Sequence, residues 1–200
     1  MKKILLVLMA LLMTLSLFAC GEETVEKPAP TNFVQFTMED GSVFVVELYP
    51  QYAPQTVENF QTLVSKGFYD GLTFHRIYKD FMIQGGDPNG DGTGTIKGGE
   101  IYGEFTKNGY EFNTLKHERG VISMARRTSY NSATCQFFIM HADNASLDGY
   151  YAAFGRVISG MEVIDALAEL PVTRQPSGEK TKPVTPPVIK EVTFIEAPVQ

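Results

Sequence analysis

The chain has 200 residues, of which 44% are hydrophobic and 20% charged, so size and composition predict one globular domain, or at most two. Its formal net charge of −6 makes nucleic acid and anionic membrane surfaces unfavourable partners. The 14 Phe and 9 Tyr supply bulky core residues in place of Trp, and Val-rich runs with frequent Gly indicate a sheet.

The first segment of the chain has the composition of an export signal. Two lysines precede an uncharged run from Ile4 to Ala19, and Cys20 follows. A charged start, an apolar middle and a small residue before the break predict a secretory signal peptide over residues 1–19. Residues 17–20, LFAC, resemble a bacterial lipobox, which implies lipidation of Cys20, a membrane anchor and a location outside the cytoplasm. The alternative is an ordinary signal peptide that ends near a cysteine.

Cleavage after residue 19 would change the charge and the cysteine content. Of the 17 basic residues 15 would remain against 23 acidic ones, a net charge of −8. With Cys20 lipidated no intramolecular disulfide is expected, and Cys135 is predicted to be a small buried apolar residue. Residues 20–31 are acidic and then Pro-rich, which predicts a flexible linker to a domain over residues 32–196.

The domain opens with two strands and a helix. Residues 33–38 and 43–48 flank an Asp-Gly pair, so they predict an antiparallel hairpin with alternating buried side chains. Pro54 suits the first turn of a helix that runs to about Ser65 with its apolar side chains on one face.

Residues 74–88 read FHRIYKDFMIQGGDP and predict two short extended segments joined by a polar turn at Lys79 and Asp80. The guanidinium of Arg76 stands among large apolar side chains, and it must be paired, solvated or in use, because burying an isolated charge is costly. Residues 85–110 hold 9 glycines and little periodicity, which predicts a long surface loop.

The second half of the domain continues the pattern of short strands. Three buried strands are predicted, over residues 121–125, 134–140 and 152–158. A capping box of Ser159 and Glu162 predicts a second helix that ends before Pro171. Residues 172–187 are polar and Pro-rich, which predicts a surface excursion, and residues 188–195 alternate as a closing strand. Many short strands with two helices predict a mainly β fold, a closed antiparallel barrel.

Metal, nucleotide and hydrolase motifs are incomplete. Residues 87–92 imitate the first half of a calcium loop, but its twelfth position is Gly98, where a bidentate Glu is required. The three histidines lie far apart without ligands at zinc spacing, so each is expected to be a surface or structural residue. The glycine-rich loop matches no nucleotide fingerprint, and Ser123 and Ser132 lack a nucleophile elbow. We therefore expect no metal or other cofactor.

Four separated blocks of the sequence resemble one family. They are FHRIYKDFMIQGGDP (74–88), RGVISMAR (119–126), QFFIM (136–140) and LDGYYAAFGRV (147–157). In this order they resemble the signature blocks of the cyclophilins, the cyclosporin-binding peptidyl-prolyl cis-trans isomerases. The resemblance covers about residues 33–195. It implies an eight-stranded antiparallel barrel capped by two helices, and an enzyme that accelerates rotation of X-Pro peptide bonds. Together with the predicted export signal, this indicates an isomerase that assists the folding of exported proteins.

The resemblance also assigns roles to individual residues. Arg76 matches the catalytic arginine, and Gln84 matches the amide that orients the substrate backbone, with Gln136 close by. The other matches to the substrate-binding site are Phe81, Met82, Ala125, Arg126, Phe138, Leu147 and Tyr151. Strand alternation independently places Met82 with Gln84 on one face, whereas it turns Phe81 away.

Three positions depart from the pattern of many family members. Ser146 stands where a pocket tryptophan is common, Tyr151 where a histidine is common, and Arg126 where an asparagine is common. Main-chain pairing with the substrate survives the change to Arg126, so isomerase activity is expected to be retained. Cyclosporin binding is expected to be weaker, because the large indole surface and donor of a tryptophan are absent.

Other interpretations of the same residues remain open. The apolar matches could be plain core, and Arg76 could be a surface residue with a buried stem. The groove could hold proline-containing segments as a binding module or holdase without turnover. In a purely structural lipoprotein the arrangement would be accidental. Only rate data separate an enzyme from a binding module.

Overall fold

The structure is a computed structural model that describes residues 31–175 and 177–198, so the predicted signal peptide, Cys20 and most of the predicted linker lie outside the described residues. The strands are β1 (Phe33–Met38), β2 (Val43–Leu48), β3 (Arg76–Tyr78), β4 (Met82–Gly85), β5 (Val121–Met124), β6 (Phe137–Met140), β7 (Ala153–Ser159), β8 (Val172–Arg174), β9 (Lys180–Pro183) and β10 (Ile189–Ile195). The α-helices are α1 (Pro54–Ser65) and α2 (Met161–Ala168).

Eight of the strands form one antiparallel sheet in the order β10-β1-β2-β7-β5-β6-β4-β3. The sheet curls, and its ends meet at an isolated antiparallel bridge between Thr73 and Val188. Beside the bridge, the Phe74 N–H donates to the Pro187 carbonyl at 3.1 Å. Strand number, direction and the two helices are confirmed. Strand β3 has only three residues and does not pair with β10, so the ends of the curled sheet meet through this bridge and the backbone hydrogen bonds beside it.

The main core fills the interior of the curled sheet. Alternation places one face of β1 and of β2 inside, as predicted, and Phe36 stacks on Phe44 with ring centroids 4.6 Å apart. Helix α1 begins with Pro54 and buries Phe60 against Phe137 in an edge-on contact of 5.9 Å. Each such side chain contributes about 1.5 to 3 kcal/mol by burial. Cys135 is fully buried, which confirms its predicted role as an apolar residue.

The start of α2 differs from the prediction. Ser159 stays in β7, opposite Val45, and the residue that caps the helix is Gly160, with φ of 78° and no capping side chain. A Cβ at Gly160 would lie 2.4 Å from the Val43 carbonyl, so only glycine fits at this close approach. The predicted capping box of Ser159 and Glu162 is therefore wrong.

Two further segments differ from the predicted pattern. Strand β6 begins at Phe137 instead of residue 134, and the carbonyl of Cys135 accepts from the Tyr69 hydroxyl at 3.1 Å. Residues 172–187, predicted as a surface excursion, contain the antiparallel pair β8 and β9, which packs beside β3. The described residues include no helix that is long and apolar enough to cross a membrane.

Candidate active site

An open cavity of about 180 Å³ lies over strands β3, β4 and β6. The residues that line it are Arg76, Phe81, Met82, Gln84, Ala125, Arg126, Phe138, Leu147 and Tyr151. A smaller cavity of about 90 Å³ shares Gln84, Ala125 and Arg126 with it and reaches Gln136. The structure thus brings every proposed substrate-site residue to one continuous surface, including Phe81, which strand alternation alone would turn away.

Strand register places the chemical groups on one side of this cavity. In the β3 and β4 pair Arg76 lies opposite Gln84, and Tyr78 lies opposite Met82. In the β4 and β6 pair Gln84 lies opposite Phe138. Residues directly opposite in a sheet share a face, so a guanidinium, an amide and an aromatic ring project together.

The apolar floor is a small core of its own, separate from the main one. Met82 and Phe138 are 2% and 4% exposed and belong to a cluster on this face of the sheet. Phe81, Leu147 and Tyr151 pack against that cluster and remain partly exposed. The floor therefore offers an apolar surface that a small ring can cover.

A row of polar side chains runs along one edge of the cavity. Nη1 of Arg76 lies 3.5 Å from Oε1 of Gln84, and Nε2 of Gln84 donates to Oε1 of Gln136 at 2.8 Å. Nε2 of Gln136 in turn donates to the carbonyl of Gly94 at 2.8 Å. The two glutamines thus orient each other and tie the glycine-rich loop to the sheet.

The side chain of Arg126 forms part of the opposite wall of the cavity. Its guanidinium donates to the carbonyls of Tyr150, Arg127 and Thr128 at 2.9 to 3.3 Å. The rings around its guanidinium carbon are those of Tyr151, Tyr130 and Phe105, with centroids 4.6, 4.8 and 5.3 Å away. These contacts hold the side chain as a wall of the cavity.

One backbone donor of the segment at residues 125 and 126 is already engaged within the protein. The N–H of Ala125 donates to the carbonyl of Gln136 at 2.9 Å. A substrate backbone that pairs with this segment must therefore use groups other than the Ala125 N–H.

The profile of the family "Cyclophilin type peptidyl-prolyl cis-trans isomerase/CLD" matches residues 33–194 of the chain. The chain belongs to the cyclophilin family. Peptidyl-prolyl cis-trans isomerase B of Bacillus subtilis (strain 168) is 45% identical over 127 residues, which cover 64% of this chain and 84% of that protein. Peptidyl-prolyl cis-trans isomerase-like 1 of Neurospora crassa is 47% identical over 133 residues, which cover 66% and 78%.

Solved cyclophilin structures share the fold. A Cryptosporidium parvum cyclophilin superposes with a TM-score of 0.71 at 31% identity, over 84% of this chain and 99% of that one. The same protein, crystallised in the presence of the dipeptide Ala-Pro, superposes with a TM-score of 0.70 over 82% and 99% of the two chains.

A buried polar row supports the floor of the cavity in this cyclophilin. Nδ1 of His117 lies 3.1 Å from Oδ1 of Asp148, and its Nε2 lies 3.0 Å from Oγ of Ser123. Burial lowers the pKa of His117, although Asp148 opposes the shift. Ser123 is fully buried, so the row cannot present a nucleophile, and the His117 ring stacks under Phe138 at 6.0 Å. Sequence reasoning missed this row because its members lie on separate segments.

Glu179 is a second residue that sequence reasoning missed. It follows the turn between β8 and β9, and its carboxylate receives two hydrogen bonds from Arg76, at 2.8 and 3.0 Å. These bonds hold the pKa of Glu179 below its usual range. Its only signal in the sequence is an acidic residue in a polar segment, which is too common to indicate a site.

Residues 87–92 form a turn cluster, as interpreted from the sequence. The carboxylate of Asp87 accepts the backbone N–H groups of Asn89, Asp91 and Gly92. In the described part of the cyclophilin no group of three His, Cys, Asp or Glu residues could hold a metal ion.

Nearby, His75 is 5% exposed, its ring nitrogens have no partner among the described residues, and burial lowers its pKa.

Proposed function

We propose that the protein is a peptidyl-prolyl cis-trans isomerase that accelerates rotation about X-Pro bonds in exported proteins and so assists their folding. The observation that carries this proposal is the cavity over an apolar floor, with the guanidinium of Arg76 at its edge. Family membership supports it, and so does the relative crystallised in the presence of Ala-Pro. Proline-containing polypeptides are the proposed partners.

The reaction requires no nucleophile. Amide resonance sets a rotational barrier of about 18 to 20 kcal/mol, while cis and trans X-Pro bonds differ by only about 0.5 to 1 kcal/mol. The cis and trans isomers are therefore close in free energy, but they interconvert slowly. A catalyst must bind the twisted amide, in which the prolyl nitrogen regains its lone pair, more tightly than either planar form.

Arg76 is the group that can make this distinction. Its guanidinium stays charged and offers donors in a fixed plane, so a donor aimed at the prolyl nitrogen strengthens as the lone pair forms. Gln84 stands opposite Arg76 in the strand pair and is held by Gln136, so its amide is oriented to bind the substrate backbone.

The apolar floor supplies the second requirement, a fixed ring. The pyrrolidine ring would cover Met82 and Phe138, with Phe81, Leu147 and Tyr151 around it. Since these side chains already pack together, the site can hold the ring while the residue before proline rotates.

The proposed location is outside the cytoplasm, with the domain anchored by lipid at Cys20. The support is the order of charged, apolar and small residues in the first 20 positions, followed by an acidic and Pro-rich stretch. Several acyl chains on one residue would anchor the protein stably, whereas one chain binds only marginally.

Cyclosporin binding is proposed to be weak. Ser146 is exposed in the short turn Ala145–Leu147 at the rim, where many family members carry a tryptophan. The missing indole removes both apolar contact area and a hydrogen-bond donor.

A binding module without turnover is the alternative, because the same apolar floor could hold proline-containing segments. The deciding experiment measures cis to trans exchange of a short X-Pro peptide by NMR, with the full chain in mild detergent and with Arg76→Ala. We expect acceleration by the wild type and a loss of about 100-fold or more in the variant. Equal rates for both would refute the role of Arg76, and no acceleration by either would favour the binding module.

A further inference from the structure

We propose that Glu179 is a positioning residue for the isomerase reaction, which holds the guanidinium of Arg76 so that Nη1 faces the cavity. This inference rests on the function proposed above for Arg76. It gives the β8 and β9 hairpin a role in catalysis without contact to the substrate.

The geometry of the ion pair carries the inference. Nε of Arg76 donates to Oε2 of Glu179 at 3.0 Å, and Nη2 donates to Oε1 at 2.8 Å. The pair therefore uses one edge of the planar guanidinium, in a bidentate arrangement. The opposite corner, Nη1, lies toward Gln84 and Met82, which both line the cavity.

Without Glu179 little would fix the arginine. The contacts of Nη1 with Oε1 of Gln84 and Sδ of Met82 are long, at 3.5 and 3.8 Å. Arg76 also begins β3, a strand of three residues at the end of the sheet. A long side chain at such a position samples several rotamers unless a partner selects one.

The carboxylate is itself held in place, unlike that of an ordinary surface pair. Oε2 of Glu179 also accepts from Oγ1 of Thr181 at 3.2 Å, and Nε2 of Gln175 donates to that hydroxyl at 2.7 Å. The Gln175 N–H donates to the Glu179 carbonyl at 2.7 Å, and Thr181 is 1% exposed. Most exposed ion pairs contribute little, but one with both partners oriented can fix a geometry.

The pair leaves the catalytic donors available. A guanidinium has five N–H groups, and Glu179 uses two of them. Among the described residues Nη1 makes only the long contacts with Gln84 and Met82, so its N–H groups remain available on the cavity side. Glu179 therefore orients Arg76 without competing for the donors that the substrate needs.

The kinetic test compares Glu179→Ala, Glu179→Gln and Thr181→Val with the full wild-type chain in mild detergent. For Glu179→Ala we expect kcat to fall about tenfold with KM changed less than about twofold, because misplaced catalytic groups weaken transition-state stabilisation. For Glu179→Gln we expect a kcat between those of the wild type and Glu179→Ala, because the amide oxygen still accepts one hydrogen bond from Arg76. Thr181→Val should lower kcat about twofold, because it frees the carboxylate without removing it.

The matched control is Glu118→Ala. Glu118 pairs with Arg156 at 2.8 Å, outside both cavities, so its loss should leave kcat and KM unchanged. NMR supplies a structural readout, the exchange of the Arg76 Nε–H proton with water, assigned with Arg76→Lys. We expect slow exchange in the wild type and fast exchange in Glu179→Ala.

The outcomes separate this inference from the function on which it rests. Unchanged kcat in Glu179→Ala, with Arg76→Ala inactive, overturns the role of Glu179 and leaves the isomerase intact. A lower kcat without a change in the Nε–H exchange also overturns it, since Arg76 would then not have been released. Full activity in Arg76→Ala overturns the role of Arg76, and with it this inference, while the isomerase function stands. No acceleration by the wild-type chain overturns the proposed function itself.

Discussion

The two sides of the cavity are built in different ways. On one side, Arg76, Met82, Gln84 and Phe138 stand on paired strands, and main-chain register determines where they lie. On the other side, Leu147 and Tyr151 lie outside the strands, on a segment held by turn hydrogen bonds and by side-chain contacts. Because register fixes its side chains, the sheet side is suited to positioning the reacting groups. Side-chain substitutions on the loop side are expected to alter affinity instead.

The largest expected effect removes the floor on the sheet side. Phe138→Ala should lower the free energy of unfolding by about 3 to 4 kcal/mol, because a buried aromatic leaves a cavity. Leu147→Ala, on the loop side and partly exposed, should cost about 1 kcal/mol or less. Urea unfolding measures both. Similar losses for the two variants would break the comparison between the sides.

The next effect tests the geometry of the donor. Arg76→Lys keeps the charge but loses the planar fork, so kcat/KM should fall about 100-fold while stability is retained. Peptide exchange measured by NMR reports the rate. Arg156→Lys, at an exposed pair with Glu118, is the control and should leave the rate unchanged. Near-normal activity of Arg76→Lys would show that charge alone suffices.

Cyclosporin tests the loop side of the comparison. Ser146→Trp should tighten inhibition by cyclosporin about tenfold, since a tryptophan at a binding surface adds a large apolar contact. Ser146→Ala, which adds no indole, serves as the control and should match the wild type. An inhibition constant for the wild type as tight as that of a tryptophan-bearing cyclophilin would contradict the prediction of weak binding.

A smaller effect is expected for Tyr151. Its ring lies 4.6 Å from the guanidinium carbon of Arg126 and meets Phe138 edge-on at 5.6 Å. Tyr151→Leu should raise KM about threefold and leave kcat nearly constant, because one cation–π contact and the ring contacts with Phe138 and His117 are lost. Steady-state kinetics separate the two constants. A large fall in kcat would place Tyr151 in the chemistry.

The smallest effect concerns the pH dependence of stability. Burial lowers the pKa of His75 and of His117 below the ordinary 6.5, so the unfolded chain binds more protons just below that pH. Stability should therefore fall as pH drops below 6.5, and His75→Leu should reduce the slope. Denaturant unfolding at several pH values above the carboxylate range measures it. An unchanged slope would show that His75 charges freely in the folded protein.

Much of the fold was predictable because its signals are local. The bounds of β1, β2 and α1 follow from alternation, an Asp-Gly turn and a proline at the first helical turn. The start of α2 was not predictable, because Gly160 is required by the carbonyl of Val43, which is remote in sequence. Local capping rules favoured Ser159 because they do not include that contact.

The candidate site shows the same division. Four sequence blocks named the lining residues of the cavity, because each block carries several side chains with one spacing. The sequence by itself determined which groups are present: a guanidinium, two amides and an apolar floor. Only the tertiary structure decided how they are held, since Glu179 reaches Arg76 across 103 residues and Asp148 reaches His117 across 31. Such contacts depend on the closure of the sheet, which no local pattern encodes.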